Sequence, residues 1–289
     1  MAESSDNLKD VYNDIFKIND YFYEGEQGQL ILDEAHGSID KYCDYGSSSG
    51  NGKCQNDYLK MASSGIIHLL TNLKNYGLEN DKLAEYAILF LSYKLNQNEK
   101  NKLTDLNEFY TKYIETNKYY NNKIKDNGSS TYKEIIDTNN DLMNIKEISK
   151  FDYPFGILLL LYHVIKNNKL DCKKYSKDAN DFVQNFEELN NDSNNIKDSP
   201  FSQLLSTISD DYKNLINKYG NKCTNFKSLP ELTPKENPVG NSEQPTVLSP
   251  EATPSSSSIL NTVIPGLSTF AIPIFLGVAY KVNNKELKL

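Results

Sequence analysis

The sequence predicts an all-helical bundle, followed by a disordered Pro- and Ser-rich linker and one C-terminal transmembrane helix. Three observations support this class. Apolar residues recur at helical spacing through residues 1–227, where Pro154 and Pro200 are the only prolines. Six of the ten prolines then fall in residues 230–254. The segment 259–280 follows and contains no charged residue.

Apolar stripes predict the individual helices. One stripe continues from Cys172 in steps of three and four residues, which keeps its members on one helix face: Tyr175, Ala179, Phe182, Phe186 and Leu189. In the next helix Ser199 can cap the first turn, Pro200 can occupy the first position and Gly220 can end the helix. Its apolar face contains Leu204, Ile208, Tyr212 and Leu215. A further stripe contains Leu103, Leu106, Tyr110 and Tyr113.

Two segments are apolar on almost every side and are predicted to be central helices, namely 86–91 and 155–165. The second is too short to span a bilayer, which takes roughly 20 residues, and is therefore interpreted as a core helix. About seven to nine helices and no substantial sheet are expected. The acidic pairs Glu187–Glu188 and Asp210–Asp211 are interpreted as solvated helix surface.

Residues 228–258 are expected to be extended or disordered. They contain no aromatic residue, so they cannot bury enough apolar surface to offset the entropy lost on ordering. Residues 259–280 are long enough for a helix that spans the lipid bilayer, in which Pro265 and Pro273 are better tolerated than in water. A buried terminal helix or a disordered apolar tail is the alternative for this last segment.

The charges on the two sides of the predicted span indicate its orientation. Residues 281–289 form a short basic tail with three Lys and one Glu, whereas the last charge before the span is Glu251. By the positive-inside rule the tail is expected in the cytosol, and the helical domain is expected on the opposite, exoplasmic side of the membrane. The N-terminus shows no apolar run of the kind a signal peptide needs. This leaves open a tail-anchored protein whose domain faces the cytosol.

Four cysteines, Cys43, Cys54, Cys172 and Cys223, lie in the predicted helical domain, and an even count permits three pairings. Cys43 and Cys54 flank a Gly- and Ser-rich loop that can close easily, which favours a bond between them and leaves Cys172 with Cys223. Four reduced thiols in a cytosolic protein are the alternative. A zinc site is disfavoured, because the sequence has no close Cys-x-x-Cys pair and no His-x-x-x-His spacing.

Composition and motifs argue against nucleic-acid binding and catalysis. The net charge is -8 and all 31 basic residues are Lys, so the bidentate guanidinium of Arg is missing. The segment GSSSGNGKC fails as a phosphate-binding loop, because Ser47 stands where the first glycine is required. His36, His68 and His163 have no nucleophile motif nearby. We therefore expect a protein that is not an enzyme and has no cofactor, metal or small-molecule substrate.

Four segments together resemble the Plasmodium interspersed repeat (PIR) proteins. In chain order they are KYCDY…GKCQNDYLK, AEYAILFLSYKLNQNEKNKLTDLNEFYTKYI, SPFSQLLSTISDDYKNLINKYGNKC and SSSSILNTVIPGLSTFAIPIFLGVAYK. The resemblance covers most of the chain. It implies a multigene family of malaria-parasite variant antigens with a helical ectodomain, ectodomain disulfides and one C-terminal transmembrane helix. The short tail and the lack of a cysteine before Cys43 depart from the family pattern.

The resemblance also implies export toward the infected red-cell membrane, with a parasite or vacuolar membrane as the alternative. The resulting hypothesis is a non-enzymatic, membrane-anchored variant antigen, displayed for host interaction or immune evasion. The alternative is a structural tether whose helical domain faces the cytosol.

Contacts with a host protein or glycan are expected from loops, because a bundle uses its apolar stripes in the core. Two loops qualify. Residues 44–53 are rich in Gly and Ser, and residues 119–131 place Tyr119 and Tyr120 beside Lys123 and Lys125. Tyrosine offers a large contact area at low entropic cost, and lysine steers toward an acidic partner such as a sialylated glycan. These four residues form the candidate ligand-contact loop.

Overall fold

The computed structural model describes residues 5–236, except residues 26–27, 34–38, 46–53, 55, 99–104 and 126–128. This part of the chain is mostly helical, as predicted, and forms eight α-helices. They are α1 (Ser5–Tyr21), α2 (Tyr58–Leu73), α3 (Asn80–Asn96), α4 (Leu106–Phe109), α5 (Tyr132–Thr138), α6 (Asp152–Lys166), α7 (Ser176–Asn190) and α8 (Pro200–Tyr219). Strands β1 (Phe22–Glu24) and β2 (Leu30–Leu32) form one small antiparallel sheet.

Local sequence sets several helix ends. The Ser199 side chain accepts a hydrogen bond from the backbone N–H of Ser202, and Pro200 opens α8. This confirms the predicted start of that helix. Thr131 and Glu134 form a reciprocal capping box at the start of α5. The stripe predicted from Leu103 is helical from Leu106 onward, where α4 continues into a π-helical turn, and Leu103 lies outside the described residues.

Helices α3 and α6 form the centre of the bundle. Helix α6 packs against α1, α3, α7 and α8, and α3 also packs against α2 and α5. The stretch Ile148–Lys166 is long and apolar enough to cross a membrane, yet most of it is buried inside the domain. The prediction that residues 155–165 form a core helix is therefore confirmed, and residues 86–91 of α3 are buried as well.

The prediction that the pair Asp210–Asp211 is solvated is wrong for its second member. Asp210 is exposed, whereas Asp211 is only 5% exposed. Asp211 lies three residues after Ile208 and four before Leu215, so it shares the buried face of α8. Helix α8 thus carries a carboxylate into the core. The pair Glu187–Glu188 is exposed, as predicted.

The helical domain continues beyond residue 227, where the linker was predicted to begin. We call residues 223–236 the C-terminal strap. Its apolar residues recur every three positions and lie against the core: Cys223, Phe226, Leu229 and Leu232. Pro230 and Pro234 prevent the strap from continuing as a helix.

Residues 228–236 are therefore part of the domain, because the strap buries apolar side chains without forming a helix. The rest of the predicted linker, residues 237–258, lies outside the described residues. The same holds for the predicted span 259–280 and tail 281–289.

Candidate functional site

Two short segments at the edges of the two loops proposed as ligand contacts meet in the folded domain. The backbone N–H of Lys118 donates to the carbonyl oxygen of Asp44 over 2.9 Å, and the side-chain amide of Asn117 donates to the carbonyl oxygen of Tyr42 over 2.7 Å. The Lys118 ammonium lies 3.7 Å from the Asp44 carboxylate. We call residues 41–45 and 117–125 together the loop seam. It is the candidate contact surface of the domain.

A disulfide holds the base of the first loop. The structure joins Cys43 to Cys54 and Cys172 to Cys223, which are the pairs that the loop spacing favours. Cys43 is 3% exposed and Cys54 is 0% exposed, so their bond is buried in the core. Residues 46–53 of that loop lie outside the described residues.

An aromatic cluster fills the centre of the seam. The edge of the Tyr42 ring meets the ring of Tyr119, with 5.7 Å between centroids, and the imidazole of His68 on α2 lies 6.4 Å from Tyr42. The Lys41 ammonium lies 4.6 Å from the centroid of the Tyr42 ring, within cation–π range. Tyr42 and Tyr119 are half-buried, so each presents part of its ring to solvent.

Tyr120 does not belong to this surface. Its side chain is 1% exposed, and its hydroxyl donates to the carbonyl oxygen of Ser63 over 2.8 Å. The structure thus corrects the placement of Tyr120 in the ligand-contact loop. Its neighbour Tyr119 keeps a partly exposed ring because successive residues of this 3-10 turn point in different directions.

Lys123 and Lys125 are exposed on both sides of Ile124, which is 8% exposed. The Ile124 N–H donates to the carbonyl oxygen of Ser130 over 3.1 Å, so the segment folds back on the residues that precede α5. An isolated antiparallel bridge pairs Lys123 with Thr131. The two lysines are therefore held on one backbone turn, and their alternation with a buried residue explains why both face solvent.

The described charges of the seam are predominantly positive. Burial, with the nearby charge of Lys41, lowers the pKa of His68, so His68 is neutral at physiological pH. Hydrogen bonds from Thr131 and the charge of Lys123 lower the pKa of Glu134, which is ionised. The described residues of the seam contain four lysines, at positions 41, 118, 123 and 125, and one carboxylate, that of Asp44, while Glu134 lies near Lys123. An acidic partner fits this balance better than a basic one.

Of the other two histidines, the described residues include only His163, which packs in the domain and has no catalytic partner among them. The His163 ring stacks on Phe16 with 3.8 Å between centroids, and burial lowers its pKa to about 4. His163 therefore acts as a neutral packing residue. His36 lies outside the described residues. Within the ranges that the structure describes, no group of three or more His, Cys, Asp or Glu is placed to hold a metal ion.

Sequence reasoning also missed a buried cation. Lys94 is 0% exposed, and its ammonium donates to the backbone carbonyl oxygens of Asn19 (2.6 Å) and Phe22. Burial lowers the pKa of Lys94 to about 7, and the nearby Asp20 opposes this shift. Lys94 thus satisfies carbonyls at the end of α1 and serves the fold. The only sequence signal is its place within the apolar stretch of α3.

The fold and the seam define a class of protein: a helical domain with two disulfides whose loops form its candidate contact surface. The model of the family described as Plasmodium variant antigen protein Cir/Yir/Bir matches residues 6–281. The chain belongs to this family, and it is a Plasmodium variant antigen.

A solved structure described as a Plasmodium PIR protein ectodomain is similar to this chain. The two are 31% identical, the match covers 81% of this chain and 100% of that chain, and the TM-score is 0.56. The PIR resemblance and the all-helical fold predicted from sequence are therefore confirmed. No curated protein matches the chain.

Proposed function

We propose that the chain is a membrane-anchored variant antigen whose helical domain is displayed on the exoplasmic side for host interaction or immune evasion. The two disulfides carry this proposal, because such bonds persist in oxidising environments and are rare in the cytosol. Its role is display and binding, without catalysis, cofactor, nucleic acid or small-molecule substrate.

The proposed arrangement has residues 237–258 as a linker, residues 259–280 in the lipid bilayer and residues 281–289 in the cytosol. It is supported by the uncharged segment and by the basic tail that follows it. The proposed destination is the infected red-cell membrane, and a parasite or vacuolar membrane is the alternative.

Protease treatment of intact infected cells tests the topology. The protein carries one tag near residue 5 and a second tag after Leu289. We expect loss of the first tag and protection of the second, with cleavage in the Pro-rich residues 237–258. Permeabilised cells, which should lose both tags, are the control. Protection of the first tag and loss of the second would establish the tether with a cytosolic domain instead.

We further propose that the loop seam is the surface that contacts the host, and that its partner is an acidic protein or a glycan such as a sialylated one. Lys123 and Lys125 are exposed, and the partly exposed rings of Tyr42 and Tyr119 lie in the same seam. Aromatic rings provide contact area and lysines provide long-range attraction to acidic groups.

Charge reversal tests this contact. The full chain, reconstituted in nanodiscs and fluorescently labelled, is incubated with host red cells. We expect the double variant K123E/K125E to bind several-fold less, with a smaller effect at high salt. The matched control K173E/K222E reverses two exposed lysines near the Cys172–Cys223 bond, away from the seam, and should bind like the wild type. Equal signals from all three proteins, including no signal, would rule out the seam as a ligand site.

A further inference from the structure

We propose that the C-terminal strap detaches first when force is applied through the membrane anchor. We also propose that the Cys172–Cys223 bond then carries this force, so that it does not reach helix α8. The inference rests on the proposed anchor, because an anchored domain is pulled through residue 236. The strap and its contacts with the rest of the domain lie within the described residues.

The strap runs along α7 in the same direction as the helix. Near its start, Asn225 donates to the carbonyl oxygen of Cys172 over 2.9 Å. Further along, the Lys227 N–H donates to the side-chain oxygen of Asn180 over 3.1 Å, and its carbonyl oxygen accepts from the Tyr212 hydroxyl over 2.9 Å. The contacts thus advance along α7 as the strap advances.

Asn190, at the end of α7, holds the middle of the strap with both halves of its side-chain amide. Its Nδ2 donates to the carbonyl oxygen of Glu231 and its Oδ1 accepts from the Thr233 N–H, each over 2.9 Å. Asn190 is 8% exposed, so these bonds are partly buried on the side of α7. One side chain therefore acts as a clamp on two strap residues.

Lys235 fastens the end of the strap. Its backbone N–H donates to the carbonyl oxygen of Asn195, and its carbonyl oxygen accepts from the Lys197 N–H, each over 2.8 Å. Its ammonium donates to the carbonyl oxygens of Asn191 (3.2 Å) and Asp192 (3.0 Å), just beyond α7. A cation at this position also interacts favourably with the helix dipole.

The contacts of the strap are weaker than the Cys172–Cys223 disulfide at its first residue. Each strap contact is a hydrogen bond, an apolar contact or, for Glu236 with Lys197, an ion pair over 3.5 Å, and each can open on its own, whereas the Cys172–Cys223 bond is covalent. A pull at residue 236 would open the contacts of Lys235, then Asn190, then Asn180, and stop at Cys223. From there the load passes through the disulfide to Cys172, just after α6. Residues 173–222 then form a closed ring outside the path of the load.

The ring contains α7 and α8, and α8 contributes a buried hydrogen-bond acceptor to the core. Helix α8 carries Asp211, which accepts hydrogen bonds from Tyr12 of α1, Tyr86 of α3 and Tyr162 of α6. Without the disulfide, α8 would be the next element drawn out after the strap. With it, the strap can detach and reattach while α8 keeps these partners.

Single-molecule force spectroscopy on the full chain in detergent micelles, with a handle at each end, tests this device. We expect an early extension of at most about 45 Å, the extended length of residues 224–236 at about 3.5 Å each. In C172S/C223S this first extension should lengthen, because α8 is drawn out with the strap. The variant N190A should keep the short extension but lower the force at which it occurs.

The control variant C43S/C54S removes the other disulfide and should keep the short first extension. If C172S/C223S does not fold, reduction of folded C43S/C54S molecules held at low force gives the same comparison. Equal first extensions with and without the Cys172–Cys223 bond, or no response to N190A, would overturn the proposal. A cytosolic domain in the protease experiment would overturn the exoplasmic display instead and leave this force pattern unchanged.

Discussion

The hydroxyl of Tyr12 donates to Oδ2 of Asp211 over 2.6 Å and joins α1 to α8 across 199 positions of sequence. Tyr86 of α3 donates to the same oxygen over 3.1 Å, and Tyr162 of α6 donates to the Asp211 carbonyl oxygen over 2.7 Å. Burial, and then the charge of Asp211, raises the pKa of Tyr12 well above its ordinary value of 10.0, so Tyr12 keeps the proton it donates. One residue of α8 therefore connects three other helices.

Replacement of Asp211 by alanine should destabilise the domain by about 3 kcal/mol or more, because the buried hydroxyls of Tyr12 and Tyr86 lose their acceptor. The neighbouring variant Asp210→Ala is the matched control and should lie within about 0.5 kcal/mol of the wild type, since Asp210 is exposed. Urea denaturation of both variants measures the difference. Similar losses from the two substitutions would contradict the central role of Asp211.

Asp152 should make the stability depend on pH. Burial raises its pKa from 3.8 to about 7, and Ser92 donates to its Oδ1 over 2.7 Å. The folded state thus binds a proton that the unfolded state has already released, so stability falls as pH rises from about 4 to about 7. The variant Asp152→Asn cannot ionise. Its free energy of unfolding should therefore rise relative to that of the wild type across this window, by up to about 1.4 kcal/mol per pH unit.

Denaturation curves of Asp152→Asn and the wild type between pH 4 and pH 8 provide the test. Asp141→Asn, at an exposed position, is the control and should follow the wild type at every pH. A constant difference between Asp152→Asn and the wild type over the whole range would show that Asp152 does not titrate in this window.

Two buried helical glycines should respond to alanine in opposite ways. A methyl group on Gly156 of α6 would lie 2.9 Å from Cε2 of Tyr93, whereas one on Gly65 of α2 would have its nearest neighbour, Cγ2 of Ile18, at 3.6 Å. Gly65→Ala should therefore stabilise by up to about 1 kcal/mol through helix propensity. Gly156→Ala should destabilise by about 1 to 3 kcal/mol through overpacking. Thermal unfolding measures whether each variant is more or less stable than the wild type. Stabilisation by Gly156→Ala would refute the close approach to Tyr93.

The two disulfides should differ in their thermodynamic effect. Cys172 and Cys223 are 51 positions apart, whereas Cys43 and Cys54 are 11 apart. Chain entropy then predicts a loss of about 4 kcal/mol for C172S/C223S and about 3 kcal/mol for C43S/C54S. Equilibrium denaturation under non-reducing conditions measures both. Recovery of free thiols at all four positions in protein from the parasite would contradict the bonds themselves.

Local features of the sequence predicted the start of α8 and the core faces of α7 and α8. Ser199 and Pro200 act on the first turn of their own helix, and a stripe such as Phe182, Phe186 and Leu189 has one buried side whatever packs against it. The strap had a signal of the same kind in the spacing of Phe226, Leu229 and Leu232. Helical periodicity does not reveal this spacing, because its period is 3.6 residues and not three.

Asp211 and Tyr120 show what sequence patterns could not predict. Asp211 shares the helix face of Ile208 and Leu215, but a carboxylate stays buried only if donors reach it, and these come from α1 and α3. Tyr120 stands in a polar loop, yet its hydroxyl bonds to Ser63 of α2, so its ring is in the core. Each outcome depends on a partner far away in the sequence.

The sequence by itself determined the helical class, the order of the segments and the membership in the PIR family, because helix periodicity, capping residues and sequence blocks are properties of neighbouring residues. The tertiary structure decided that the loops around Asp44 and Lys118 form one seam, that Asp211 is a core residue and that the chain beyond residue 227 is bound to α7. The physical reason in all three cases is that the contacting partners lie far apart in the sequence, and a buried carboxylate such as that of Asp211 is stable only when the fold brings it hydrogen-bond donors.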